Sequence, residues 1–419
     1  MAVNDLIELQ LTGMAHSGEA IGRHGGKVTF VPFGVTGDVV RVRITEEKAR
    51  YARAHLVEVL SASPLRVAAP CPHFGTCGGC RWQHIDYAAQ LELKRADLAD
   101  QLARLGGLDA PPVKPIIGMA DPWRYLNRAD FAVGPDGQAG FLSAAGDEVV
   151  PIRTCLIIDE ILEELFQTLD FEIEALASFT LRTGIHTDGA LVILQTRDDA
   201  LPELALDLPV SCVLLHDDGS AFTLVGNAFY REELRGRAFR ISAGSRFPEN
   251  IAGAEALLDC IERGLAPTGG ETLVDVHCGV GLYGIALAER VGRVIGIEEE
   301  PDAAADAQAN SANLDHFDLL TGPAAGALES ITDPVQLAVF NPPHGSRPAG
   351  VLEALLRLRP RRLACVSTDV ATLARDAARL TAAGYRLEEA QPVDLFPQTH
   401  HFAAVALWLA PHPLNGAPG

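Results

Sequence analysis

Residues 5–60 alternate apolar and polar positions over short runs: DLIELQLTGMA, GKVTFVPFG, DVVRVRITEE and RAHLVEVLSAS, parted by glycine-bearing turns. Period-two alternation over runs this short predicts strands, and four of them at close spacing predict a small antiparallel barrel. A proline-punctuated stretch, SPLRVAAPCPHFG, leads away from it. From Tyr87 to Leu105 the period lengthens to that of a helix. Leu91, Leu98, Leu102 and Leu105 are expected on one buried face, with Gly106-Gly107 ending the helix.

Between 115 and 245 the pattern is mixed, with strand-like ADFAV, ALVILQT, CVLLHD and FRISAG separated by acidic helices. After Phe247 strands and helices alternate: TLVDVHCG, GIALAERV, RVIGIEE, DAAADAQANSAN, LAVFNPP, LEALLRL and RLACVST. That order predicts a doubly wound parallel sheet, and an α/β class for the whole chain. The expected domains are a β-barrel over 1–66, an α+β central domain over 67–245 and a Rossmann-like sheet over 246–419. The tail from Pro411, PHPLNGAPG, is expected to be disordered.

A chain of 419 residues has room for two or three cores. No apolar run reaches the length of a membrane span, and MAVNDLIELQ lacks the basic and apolar regions of a secretory leader. The expected location is the cytoplasm, with no membrane partner. The net charge of −21 argues against nonspecific nucleic-acid binding over the whole surface. A local basic face remains open. Residues 1–66 carry eight Lys and Arg against seven Asp and Glu, and Arg41, Arg43, Lys48, Arg50 and Arg53 fall close together.

Cys71, Cys77 and Cys80 stand in CPHFGTCGGC with five and then two residues between them, and paired glycines fill the tighter interval. Three soft thiols on a sharply bending loop suit a thiophilic metal centre, and Cys155 in PIRTCLI is the best-placed fourth ligand. Disulfides, a four-cysteine zinc site and plain core packing are the alternatives. The absence of a leader disfavours disulfides. Zinc more usually shows two CxxC halves. Cys212, Cys260, Cys278 and Cys365 sit singly in apolar surroundings, where a thiol acts as a small hydrophobe.

In LVDVHCGVGLYG a glycine-rich turn follows an apolar strand directly. Gly279 and Gly281 let the backbone pass close to a ligand at the strand's C-terminal edge. The next strand ends in Glu298, whose carboxylate can accept both ribose hydroxyls of an adenosine. Asn341-Pro342-Pro343 follows at the end of a third strand. A GxG turn alone is weak, but the three stations together form a methyltransferase pattern. The competing reading is a nucleotide-binding sheet of another kind.

These motifs, in this order, resemble the bacterial RNA (uracil-C5)-methyltransferases, in the branch with an N-terminal TRAM barrel and a 4Fe-4S cluster. The resemblance covers the barrel, CPHFGTCGGCRWQH, WRYLNRA, Cys155, LVDVHCGVG, GIE, NPP, VSTDVATLARD and FPQTHHFAAV. It implies that Cys71, Cys77, Cys80 and Cys155 ligate a 4Fe-4S cluster. It implies that the barrel and central domain hold structured ribosomal or transfer RNA, not DNA, and that the protein is a monomer. S-adenosylmethionine would lie against His277, Gly279, Gly281, Glu298 and Asn341.

The family reaction adds a cysteine to C6 of a flipped uracil, transfers the methyl group to C5, and removes the C5 proton with a glutamate. Here Thr368 occupies the cysteine position and Ala403 the glutamate position. A threonine hydroxyl needs a strong neighbouring base, and alanine moves no proton. Adjacent Asp369 is expected to point away from Thr368, and Cys365 to be buried in its strand. Asn341 replaces an aspartate, His344 an arginine, Pro248 a glutamine and Pro323 an acidic residue, while His277 takes the aromatic position. Only Glu298, Gly279 and Gly281 match cleanly. These departures point to loss of the uracil reaction. Three functions compete: uracil methylation, RNA binding by a catalytically inactive paralogue that keeps the cluster, and methyl transfer to an amine through Asn-Pro-Pro.

Overall fold

The computed structural model describes residues 3–169, 173, 175–198, 209–216, 218–343 and 350–411. The N-terminal alternation closes into a five-stranded barrel built from β1 (Leu6–Met14), β2 (Ala20–His24), β3 (Lys27–Val31), β4 (Val39–Glu47) and β5 (Tyr51–Ser61). Its order is β1-β2-β3-β5-β4. The fifth strand, β2, lay unread in the turn-rich segment AIGRH. Leu9, Leu11, Val31, Val40, Val42 and Ile44 fill the interior. Asp38 fixes the exit, accepting the Val35 and Ser63 amides at 2.8 Å each and pairing with Arg66 at 2.6 Å. The expected basic face is largely neutralised where it forms. Arg41 pairs with Glu8 and Glu58, Lys48 with Glu46 and Arg53 with Glu19. Arg43 and Arg50 are exposed.

Helix α1 (Tyr87–Arg104) begins where the Asp86 carboxylate accepts the Ala88 and Ala89 amides. Its buried face is not the leucine stripe read from the sequence. Gln90, Lys94, Leu98, Gln101 and Leu102 are buried, Leu91 is half-buried and Leu105 is 39% exposed. The first turns of α1 meet backbone carbonyls and a carboxylate beside a small apolar cluster, where Ala89 and Leu93 pack against Val35, Trp82 and Ile85. Lys94 Nζ donates to Asp394 at 2.6 Å and to the Phe396 carbonyl at 3.1 Å. Leu98 and Leu102 join the core of the C-terminal sheet.

The central sheet contains β6 (Arg128–Val133), β7 (Ala139–Leu142), β8 (Val149–Pro151), β9 (Leu176–Thr183), β10 (Ala190–Thr196), β11 (Ser211–Leu215) and β12 (Ala221–Val225). Its order is β12-β11-β10-β9-β6-β7-β8. Acidic helix α2 (Glu160–Thr168) covers one face, where Phe131 stacks on Phe141, Phe166 and Phe179 with centroids 4.3–5.1 Å apart. The segment after α2 expected to be helical is instead strand β9. FRISAG is strand β14 (Arg237–Ser242), hairpinned to β13 (Phe229–Leu234) outside the large sheet. The acidic stretch 199–208 lies outside the described residues.

Beyond Phe247 come α3 (Ile251–Leu265), β15 (Thr272–Val276), α4 (Leu282–Leu287), β16 (Arg293–Glu298), α5 (Pro301–Asn310), β17 (Phe317–Thr321) and α6 (Ala324–Ser330). Then follow β18 (Leu337–Phe340), α7 (Val351–Arg357), β19 (Arg362–Ser367), α8 (Val370–Ala382), β20 (Arg386–Val393) and β21 (Ala403–Leu409). The order β17-β16-β15-β18-β19-β21-β20 is doubly wound. It departs from an all-parallel sheet in one strand: β21 runs antiparallel to both neighbours. Apolar side chains cover both faces, as parallel strands require. Among the described residues no helix is long and apolar enough to cross a membrane. The tail residues 412–419 lie outside the described set.

Candidate cysteine and cofactor sites

Cys71, Cys77, Cys80 and Cys155 line one cavity of about 320 Å³. The CGGC turn is pinned to the end of β7, where the Gly78 amide donates to the Leu142 carbonyl at 2.9 Å. A Cβ on Gly78 would lie 2.8 Å from the Ser143 carbonyl oxygen, so that position excludes a side chain. On the opposite wall Arg124 clamps the Cys155 loop. Its guanidinium donates to the Cys155 carbonyl at 3.0 Å and to Glu163 at 2.6 Å, and Glu163 accepts the Cys155 amide at 2.8 Å. Tyr125 donates its hydroxyl to the Pro397 carbonyl at 3.0 Å, and Asn127 donates to the Pro248 carbonyl at 3.2 Å. WRYLNRA is therefore a bracket that joins the Cys155 loop to the segments around 248 and 397.

All four cysteines are free thiols. Burial pushes the Cys80 thiol up to about 12 and raises Cys77 and Cys155. Backbone amides oppose that shift: Gly79 donates toward Cys77 Sγ at 3.4 Å, and Ile157 and Ile158 toward Cys155. Thiols so placed rest protonated near neutral pH and give up their protons when a cationic centre takes their place. Among the described residues no three His, Cys, Asp or Glu side chains gather tightly enough to share one metal ion. Glu249, Arg128, Thr399 and His401 also line the cavity. Arg128 falls within WRYLNRA and Thr399 and His401 within FPQTHHFAAV, but only the fold brings them and Glu249 to the cysteines.

The second site lies at the C-terminal edge of β15. His277, Gly279 and Gly281 have φ of 59°, 59° and 89°, giving a tight turn before α4. A Cβ at Gly279 would meet nothing within 4 Å, so this glycine borders open space. One at Gly281 would strike Ile285 at 2.5 Å. Glu298 accepts the Gly279 amide at 2.7 Å and the Glu299 and Glu300 amides at 2.9 Å, which anchors its carboxylate beside the turn. His277 is buried with Nε2 unpartnered, and burial lowers its pKa, so the ring is neutral. Sequence reading passed over Asp275, which is fully buried and accepts the Gly284 amide at 2.7 Å. It ties β15 to α4 beneath the turn. Asn341 stands half-buried at the end of β18 and donates its backbone N–H to the Val276 carbonyl at 3.3 Å. An orphan imidazole nitrogen, an open glycine and an anchored carboxylate fit the adenosine part of a nucleoside cofactor.

The positions expected to carry the reaction are differently furnished. Both carboxylate oxygens of Asp369 cap α8, one accepting the Thr372 amide at 3.0 Å and the other the Thr372 hydroxyl at 2.7 Å. That duty holds the carboxylate on the helix beside Thr368. Cys365 is 2% exposed in the middle of β19, and burial raises its thiol pKa far above the usual range. Ala403 is fully buried at the start of β21, paired with Val393. Pro323 caps α6. His344 lies outside the described residues.

The TRAM domain family matches residues 3–57. An uncharacterized RNA methyltransferase of Streptomyces avermitilis is 37% identical over 96% of this chain and 97% of its own length. One of Gloeobacter violaceus is 33% identical over 96% and 95%. Among solved structures, the Pyrococcus abyssi tRNA (uracil-54, C5)-methyltransferase in complex with S-adenosyl-L-homocysteine covers 96% of this chain and all of its own. Its TM-score is 0.75 at 24% identity, a likeness of fold. With the closed barrel, the doubly wound sheet and relatives that match end to end, this chain belongs to the TRAM-domain RNA methyltransferases.

Proposed function

We propose that this protein binds structured RNA and S-adenosylmethionine on the scaffold of the uracil-C5 branch, holds a 4Fe-4S cluster, and does not methylate uracil. The observation that carries this reading is the pair of positions 368 and 403. A hydroxyl stands where a thiolate is needed, beside an aspartate engaged in helix capping, and a buried methyl stands where a base is needed. Gel-shift titration with total ribosomal and transfer RNA tests it, together with methyl-transfer assays on the same mixtures. Salt-sensitive RNA binding without 5-methyluridine is expected. A second reading, transfer to an exocyclic amine, rests on Asn341-Pro342-Pro343 at the end of β18. It requires label from methyl-tritiated S-adenosylmethionine to enter RNA at a base other than uracil.

The cluster assignment rests on four cysteines that line one cavity and supply the soft donors iron takes. Protein purified without oxygen should be brown, and Cys77→Ser should bleach it. Colourless protein with one bound zinc would overturn the assignment.

S-adenosylmethionine would lie against the 277–281 turn with Glu298 on its ribose, and when bound it would supply the methyl group. Calorimetric titration should detect binding, and Glu298→Gln should weaken it about tenfold or more, because a charged acceptor is lost. Equal affinity in the two proteins would remove Glu298 from the site.

A further inference from the structure

The central sheet has an aromatic face under α2 and an opposite face that is apolar beside the β13–β14 hairpin and polar along β6 and β9. On that polar face lies a second cavity of about 300 Å³. Its polar lining comes from Arg128 and Asp130 on β6, Ser178, Thr180 and Arg182 on β9, and Gln195 on β10. Period-two alternation turns all six side chains to one side. Arg128 and Asp130 also line the cysteine cavity, so the two spaces adjoin.

The bonding inside this cavity is incomplete. Arg182 is 5% exposed and donates Nη1 to the Ser242 and Ser245 carbonyls at 3.2 and 2.8 Å, while its buried Nε has no partner. A buried guanidinium N–H without an acceptor is costly. Ser178 donates to Gln195 Oε1 at 2.8 Å, an arrangement that leaves the Gln195 amide hydrogens directed elsewhere. Asp130 accepts from Thr180 and from Arg128. Donors and acceptors are thus interleaved. The two arginines are offset by Asp130 and by Glu249, which lies 4.0 Å from Arg128. Such a lining does not favour an anion. Ile193 and Leu215 supply an aliphatic floor. A flat, neutral ring with both donors and acceptors on its edge matches these walls.

We propose that this cavity receives an unstacked nucleobase of the bound RNA, beside the cysteine cavity and apart from the cofactor turn. The proposal rests on the RNA-binding reading above and adds the element that reads a base. The test is gel-shift binding of total ribosomal RNA and, separately, total transfer RNA at several salt concentrations. The parent is compared with Thr180→Val/Gln195→Leu and with the milder Gln195→Glu. Each variant should bind the preferred RNA about tenfold more weakly, with an unchanged slope of log K against log salt, because a base contact releases no counterions. Circular dichroism and thermal midpoints matching the parent establish that the fold is intact. Parent-like affinity in both folded variants overturns the proposal. A loss accompanied by a slope shallower by about one makes this a phosphate site and also overturns it. A parent that binds neither RNA overturns the RNA-binding reading itself.

Discussion

Incubated with S-adenosylmethionine and ribosomal or transfer RNA, the protein should form no 5-methyluridine, and no covalent adduct with RNA containing 5-fluorouridine. Addition at C6 needs a nucleophile that is ionised or deprotonated on the spot. Thr368 offers a hydroxyl, and the carboxylate next to it is engaged at both oxygens by Thr372. Removal of the C5 proton needs a base, and loss of a positioned base alone costs about 10²–10⁴ in rate. Thr368→Cys should restore slow adduct formation without turnover. Adding Ala403→Glu is not a simple repair, because position 403 is fully buried between strands and a carboxylate there carries a desolvation cost. Mass spectrometry of digested RNA decides the matter: 5-methyluridine produced by the unmodified protein would show that another residue carries the chemistry.

Lys94→Met should lower the unfolding free energy by about 3–5 kcal/mol, read from the shift of the denaturant midpoint. Lys94 and Asp394 are both fully buried, 2.6 Å apart, and burial lowers the lysine pKa while Asp394 opposes that shift. Removing the ammonium leaves the carboxylate without its counter-charge, which costs more than the pair itself contributes. Lys94→Met with Asp394→Leu should therefore recover much of the loss. The damage should also reach the cysteine loop, because the Arg81 and Trp82 amides donate to the Gln398 carbonyl at 3.2 and 2.9 Å. A single variant within about 1 kcal/mol of the parent would mean that water reaches this pair.

This pair also marks where sequence reading stopped. Strands, turns and the glycine-rich edge were legible because period-two alternation and positive-φ glycines are local properties. The face of α1 was misread because Gln90 and Lys94 are buried there against Gln398, the Asp394 carboxylate and the Phe396 carbonyl, some 300 residues away in sequence. Nothing in the spacing of leucines reports that. The cysteines were legible as a set by their spacing, and the fold brings the four to one cavity. The bracket of Arg124, Tyr125 and Asn127 was visible only as a motif, and its bonds to Cys155, Pro397 and Pro248 needed the fold. Strand β9 was passed over because an acidic run precedes it. The reversal of β21 is set by a chain path that periodicity does not encode. Thr368 and Ala403 were plain in the sequence, whereas the bonds from Thr372 to both carboxylate oxygens of Asp369 needed the fold.

The contacts between α1 and residues 394–398 also impose an order on the birth of the molecule. A ribosome releases Lys94 long before it has made Asp394, which is 300 positions later. Until then the nascent helix keeps its ammonium in water, and the loop after Cys80 lacks the Gln398 carbonyl that receives the Arg81 and Trp82 amides. The barrel has its five strands within the first 61 residues and can close early. The cysteine cavity cannot, because Phe396, Thr399 and His401 form part of its wall. Throughout translation that wall is missing. The cavity therefore stays open to solvent during synthesis, and the last tenth of the chain closes it.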